Sequence, residues 1–170
     1  MGRDYSGRFA TVSRGASGTR RHVVPWGVAR RIEPSRKGPE ERLDDLLEGH
    51  REAALRNEGA KYVARVLEAS NSLPNAVKFF AYALLAADAA QDEEALAALA
   101  EAEAYLPAVR QEMPRRLAKE IPSLRFLERA IAVLSDRAEF EEAIRICNLA
   151  MALGLGPSYE RKKASLLRMT

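Results

Sequence analysis

Two histidines, a single cysteine and a few acidic clusters are the side chains in this sequence whose types first suggest chemistry. His50 falls on the apolar stripe of a helical stretch, next to Arg51 and without a second ligand at metal-binding spacing. It reads as a partly buried structural histidine. His22 follows Arg20 and Arg21 in a glycine-interrupted region and has no fixed partner. A Ser–His–Asp site needs rigid placement of all three groups, which neither neighbourhood supplies. Cys147 stands alone, which excludes an intrachain disulfide and a cysteine-based zinc site. Its place on an apolar helix face predicts a buried thiol, not a nucleophile. Glu40, Glu41, Asp44, Asp45 and Glu48 read as a charged helix face, and Asp92, Glu93 and Glu94 as a helix start stabilised by the dipole. No Glu-x-x-His pair, phosphate-binding loop, dinucleotide fingerprint or nucleophile elbow occurs. The expectation is therefore a protein that is not an enzyme, with no catalytic residue, no metal and no cofactor.

The elements that would position any site are helical. Hydrophobic residues make up 47% of the 170, aromatics only 6%, and alanine and leucine are abundant, which favours helix over sheet. No apolar run reaches the roughly 18 residues of a membrane-spanning helix. Charge is unevenly distributed. Residues 1–38 hold nine Arg/Lys against two acidic residues, a balance of +7, whereas residues 39–170 hold 18 against 22, a balance of −4. Two regions follow: a basic arm over 1–38, too poor in apolar residues to fold alone, and an all-helical domain over 39–170. An Arg-rich, acid-poor start also suits a mitochondrial transit segment, but the glycines and prolines break a continuous amphipathic helix. A cytoplasmic location is the main expectation and the mitochondrion the minor one.

Helix starts and stops are legible in several places. Pro39 followed by Glu40 and Glu41 predicts a helix start. Gly59 either ends that helix or weakens its middle, and residues 71–75 form a breaker. Residues 76–90 are apolar on nearly every side and need neighbours on more than one face. Residues 93–106 predict a helix ended by Pro107. A short amphipathic helix follows between Pro114 and Pro122, with Leu117 and Ile121 inward and Arg115, Arg116 and Lys119 outward. Ser123 is placed to cap a helix over 124–135. Residues 140–155 form the best-defined amphipathic helix, with Gly154 and Gly156 available for a left-handed cap. Ser158 is placed to cap a last helix. No segment alternates with period two, so the fold class is all-α, built of antiparallel helical hairpins joined by short turns.

A search for self-similarity finds a repeated pattern. Phe79, Tyr82, Ala83 and Ala86, followed by Ala95, Leu99, Ala102 and Pro107, are spaced as in a tetratricopeptide repeat, over residues 76–109. Phe140, Ala143, Cys147 and Ala150 occupy second-helix positions again, after Leu127, Ala130 and Leu134 in the first. The chain over about 76–157 thus resembles a divergent tetratricopeptide-repeat protein. Ile131 stands where that family has a small residue, Leu155 replaces the terminal proline, and residues 108–123 are extra. An irregular helical bundle with the same hairpins is the alternative architecture.

The resemblance implies a protein–protein interaction scaffold whose first helices line a groove. Val77, Phe80, Leu84 and Asp88, then Arg125, Glu128, Ala132 and Ser135, are the groove positions it implies; Phe80 and Leu84 equally suit packing against the 39–70 helices. The expected partner is another protein, with a second copy of the chain included. The second expectation is nucleic-acid binding by the arm. Arg14, Arg20, Arg21, Arg30, Arg31, Arg36 and Lys37 would neutralise phosphates, and Trp26 among them would stack on bases of RNA or DNA.

Overall fold

A computed structural model describes residues 37–69 and 72–170, which form eight α-helices and one 3-10 turn, with no strand among them. The chain is all-α there. The helices are α1 (Pro39–Ala54), α2 (Gly59–Ala69), α3 (Asn75–Asp88), α4 (Asp92–Glu112), α5 (Pro114–Glu120), α6 (Phe126–Asp136), α7 (Phe140–Ala152) and α8 (Gly156–Leu166), with the 3-10 turn Ile121–Ser123 between α5 and α6. No described helix is long and apolar enough to cross a membrane.

Three of the turns close by one device. At the end of α7, the Leu155 N–H reaches the Ala150 carbonyl (3.0 Å) and the Gly154 N–H reaches Met151 (2.9 Å), with Gly154 left-handed at φ 79°. This is the paired 6→1 and 5→2 bonding that satisfies the last helical carbonyls. The same pattern ends α1, where Glu58 bonds Ala53 (2.9 Å), Asn57 bonds Ala54 (3.0 Å) and Asn57 takes φ 58°. It ends α6 through Glu139 to Leu134 (2.9 Å) and Ala138 to Ser135 (3.0 Å), with Ala138 at φ 59°.

Several boundaries differ from the sequence expectation, four of them for a clear local reason. Gly59 opens α2 instead of ending or bending α1, because the Asn57 cap has already turned the chain. Pro107 lies inside α4, which runs on to Glu112. Proline removes one backbone bond there, but burial of Leu106, Val109 and Met113 holds the following turn in place. The N-cap of α6 is Arg125, while the Ser123 hydroxyl donates to the Glu120 carbonyl (2.7 Å) and caps nothing. Helix α8 starts at Gly156, so Ser158 is already in its first turn.

The packing runs from hairpin to hairpin. Helix α3 lies against α1, α2, α4 and α6, as its all-round apolar surface requires; α6 lies against α4 and α7, and α7 against α8. Alanines mark the tightest passages: Ala83, Ala86, Ala95, Ala102, Ala143 and Ala150 are all buried. Phe79 joins successive hairpins, meeting Phe80 edge-on at 5.2 Å and Phe126 of α6 edge-on at 6.0 Å. Ion pairs cross the same junction, Arg129 to Asp92 (3.1 Å), Arg137 to Glu93 (2.9 Å) and Arg145 to Glu103 (2.8 Å). Arg116, expected to point outward, is half-sunk and ties α5 to α1 through Asp44 at 2.5 Å.

Candidate functional site

The sequence-derived residues do not gather in one place. Val77, Phe80 and Leu84 belong to the hydrophobic core, with exposures of 0, 0 and 6%. The open face expected at these three positions gives way to core, because α1 and α2 pack on α3. Asp88 is held by His50, Nε2 to Oδ2 at 2.6 Å. Ala132 is exposed, while Ser135 donates to the Ile131 carbonyl four residues back (2.6 Å). Arg125 and Glu128 are exposed at the start of α6. Arg14, Arg20, Arg21, Trp26, Arg30, Arg31 and Arg36 lie outside the described residues. Lys37 is described, and its ammonium pairs with Asp45 at 2.7 Å, which raises its pKa.

The His50–Asp88 pair brings a histidine to a carboxylate, the geometry an acid–base site would need. It is packed over Gly59: a Cβ there would meet Asp88 Oδ2 and come within 3.0 Å of His50 Nε2. The absence of a side chain at Gly59 is what lets α1 and α3 link across α2. The adjoining cavity of about 300 Å3 is lined by Ala54, Asn57, Gly59, Ala60 and Asp88, which bring no hydroxyl or thiol to it. The pair joins α1 to α3 at 2.6 Å.

A second cavity, of about 450 Å3, is lined by the 3-10 turn, the start of α6 and the start of α8. Ile121, Leu124 and Tyr159 lie along it and are all buried, while the surface it exposes is more polar than apolar. Its rim carries Arg125, Glu128 and Ser158, all exposed. Neither Arg125 nor Glu128 makes an ion pair among the described residues. This contrasts with the depression between α4 and α7, where Glu103, Glu142 and Arg145 neutralise one another at 2.7 to 2.9 Å.

The chain folds this way locally for three reasons. Gly154 turns left-handed to end α7, and Gly156, at φ 35°, lets α8 begin two residues later. Pro157 fits the first turn of α8, where a missing N–H matters least. Tyr159 then packs inward at 6% exposure, with the Lys162 ammonium 5.2 Å from the centre of its ring. Burial, then the charges of Glu128 and Cys147, push the Tyr159 hydroxyl up to about 12, so it remains a donor at neutral pH. Cys147 is itself buried, and burial pushes its thiol up as well.

Sequence reasoning placed Arg125 and Glu128 on a binding face and a last helix after Ser158, but assigned neither Tyr159 nor the start of α8 to a site. The signal was present in Gly-x-Gly-Pro-Ser-Tyr at 154–159, a left-handed cap followed by an N-terminal proline. Among the described residues no three His, Cys, Asp or Glu side chains group as metal ligands would. Comparison with protein-family models, with curated proteins and with solved structures returns no match.

Proposed function

We propose that this chain is a non-enzymatic scaffold, a divergent tetratricopeptide-like stack of helical hairpins that docks a segment of another protein between α6 and α8. The observation that carries this reading is the pair of opposite charges, Arg125 and Glu128, both exposed and without an ion pair among the described residues, on the lining of one cavity. Such a pair selects a partner by charge. The repeat-like part of the reading draws on the order of contacts, in which α3 touches both α4 and the next hairpin's α6, and on the buried alanines at the helix passages.

The test is affinity capture from native extract with the wild-type chain, Arg125→Glu and Glu128→Arg, each checked for an unchanged thermal midpoint. Loss of a protein partner in both reversals supports docking at this rim. An identical set of partners in all three overturns it. The charge split between residues 1–38 and the rest favours a second reading, nucleic-acid association through the arginine-rich segment. The same capture run with nuclease, and with residues 1–36 removed, separates the two: a partner lost to nuclease or to that deletion, but not to the rim reversals, selects the second.

A further inference from the structure

We infer that copies of this chain associate head to tail, with the outer face of α8 in one copy packed on the outer face of α1 in the next. This contact is separate from the docking reading and involves neither Arg125 nor Glu128.

The two helices carry opposite charge. Helix α1 holds six acidic residues against Arg42 and Arg51, while residues 156–170 hold Arg161, Lys162, Lys163 and Arg168 against Glu160 alone. Helical spacing sorts these charges onto faces. In α1 the buried Leu43, Leu46 and Ala53 define the core side. Glu41, Glu48, Glu52 and Leu55 follow one another at intervals of seven, four and three residues, which forms a stripe on the side away from the core. All four are exposed. In α8 the buried Tyr159 and Leu166 define the core side. Arg161, Ala164 and Ser165, with Arg168 in the turn that follows, lie opposite and are all exposed.

Neither stripe is satisfied within the described residues. Asp44 and Asp45, at the edge of the α1 stripe, have cations in Arg116 and Lys37. Glu41, Glu48 and Glu52 make no ion pair there, nor do Arg161 and Arg168. Packing leaves both outer faces open, since α1 lies on α2 and α3, and α8 on α7. The large exposed hydrophobics fall at the same two helices. Among the described residues they are Leu55 at 85%, Met169 at 60% and Leu167 at 55%. Leu55 is the C-cap of α1, and Leu167 is the C-cap of α8.

The stripes complement each other. Arg161 and Arg168 are two helical turns apart, about 10 Å, as are Glu41 and Glu48. Ala164 and Ser165 between the arginines allow another helix to approach closely. A second α8 would set arginine beside arginine, and a second α1 glutamate beside glutamate, which disfavours a symmetric dimer through either face. The contact is therefore heterologous. It leaves a free α1 at one end and a free α8 at the other, and adds copies until a ring closes or a filament grows.

The experiment is analytical ultracentrifugation of the full chain up to about 1 mM, at low and at high salt. The weight-average mass should rise with concentration and fall back as salt screens the charges. Arg161→Glu with Arg168→Glu, and separately Glu48→Arg with Glu52→Arg, should each weaken association by about tenfold or more. Mixed in equal amounts, the two variants should associate again, because an acidic α8 now meets a basic α1. One chain carrying all four substitutions should recover in the same way. A lost fold could not be rescued by mixing, so recovery is read on folded protein. A wild type that stays monomeric at the highest concentration overturns the inference, and so does failure of either rescue. Association that disappears when residues 1–36 are removed, yet ignores both reversals, also overturns it and assigns self-association to that segment.

Discussion

Tyr159 serves both the core and the cavity, and its acid–base behaviour reports on both. Its hydroxyl is pushed up to about 12 by burial and by Glu128, from an ordinary value of 10.0. Below pH 10 the folded and unfolded states both keep the proton, so this residue leaves stability independent of pH. Between pH 10 and pH 12 the unfolded chain releases the proton first, and stability falls as pH rises. The two-unit difference corresponds to about 2 kcal/mol by the end of that window. Tyr62 and Tyr82 are shifted in the same direction by burial, so part of the alkaline loss is theirs. The prediction is therefore a difference. The urea midpoint of the wild type should fall relative to that of Tyr159→Phe as pH rises from 9 to 11.5. Parallel curves across that range would show that the phenol is free to ionise in the folded state.

At the scale of elements, the informative cap is the one after α6. Asn57 and Gly154 are residue types that tolerate a left-handed backbone, but Ala138, at φ 59°, is not. Its Cβ is strained there, and the bonds from Glu139 and Ala138 back into α6 hold the turn regardless. Ala138→Gly should therefore stabilise the protein by about 1 kcal/mol, less the added freedom of the unfolded chain. Thermal denaturation of the two proteins gives the sign directly, and a lower midpoint for the glycine variant would contradict the strain. This cap also shows what the sequence withheld. A glycine in a cap is visible on sight, and Gly154 is left-handed as expected, although α7 stops at Ala152, short of the expected 155. The turn at Ala138 has no marker residue, since packing on both sides imposes it. Asp88 and His50 pose the same problem. Each could be assigned to a helix face from spacing alone, but which faces meet, 38 residues apart, depends on how α1 and α3 cross. Val77, Phe80 and Leu84 carried the apolar signal of a groove and of a core equally, and only the position of α1 and α2 selects the core. Cys147 was legible because burial on an amphipathic face is a property of one helix.

For the molecule as a whole, one hydrophobic cluster runs from Leu43 in α1 to Leu166 in α8, yet the helices touch mainly their neighbours along the chain. The repeat-like stack proposed above would have a stability close to the sum of its hairpins and the interfaces between them. Phe79 is the side chain whose loss should separate those terms. It is 1% exposed and meets both Phe80 and Phe126, so it bridges the hairpin of α3 and α4 to that of α6 and α7. Phe79→Ala should cost about 3–5 kcal/mol through lost burial and the cavity it leaves. Because that cavity lies at the junction, the two sides should also unfold less cooperatively. The dependence on urea should become shallower as well as shift to lower concentration. Leu166→Ala, at the far end of the stack and 6% exposed, should lower the midpoint while preserving the slope. Far-UV circular dichroism during urea titration distinguishes the two effects. A Phe79→Ala transition as steep as that of the wild type would mean that the hairpins fold as one unit whatever joins them.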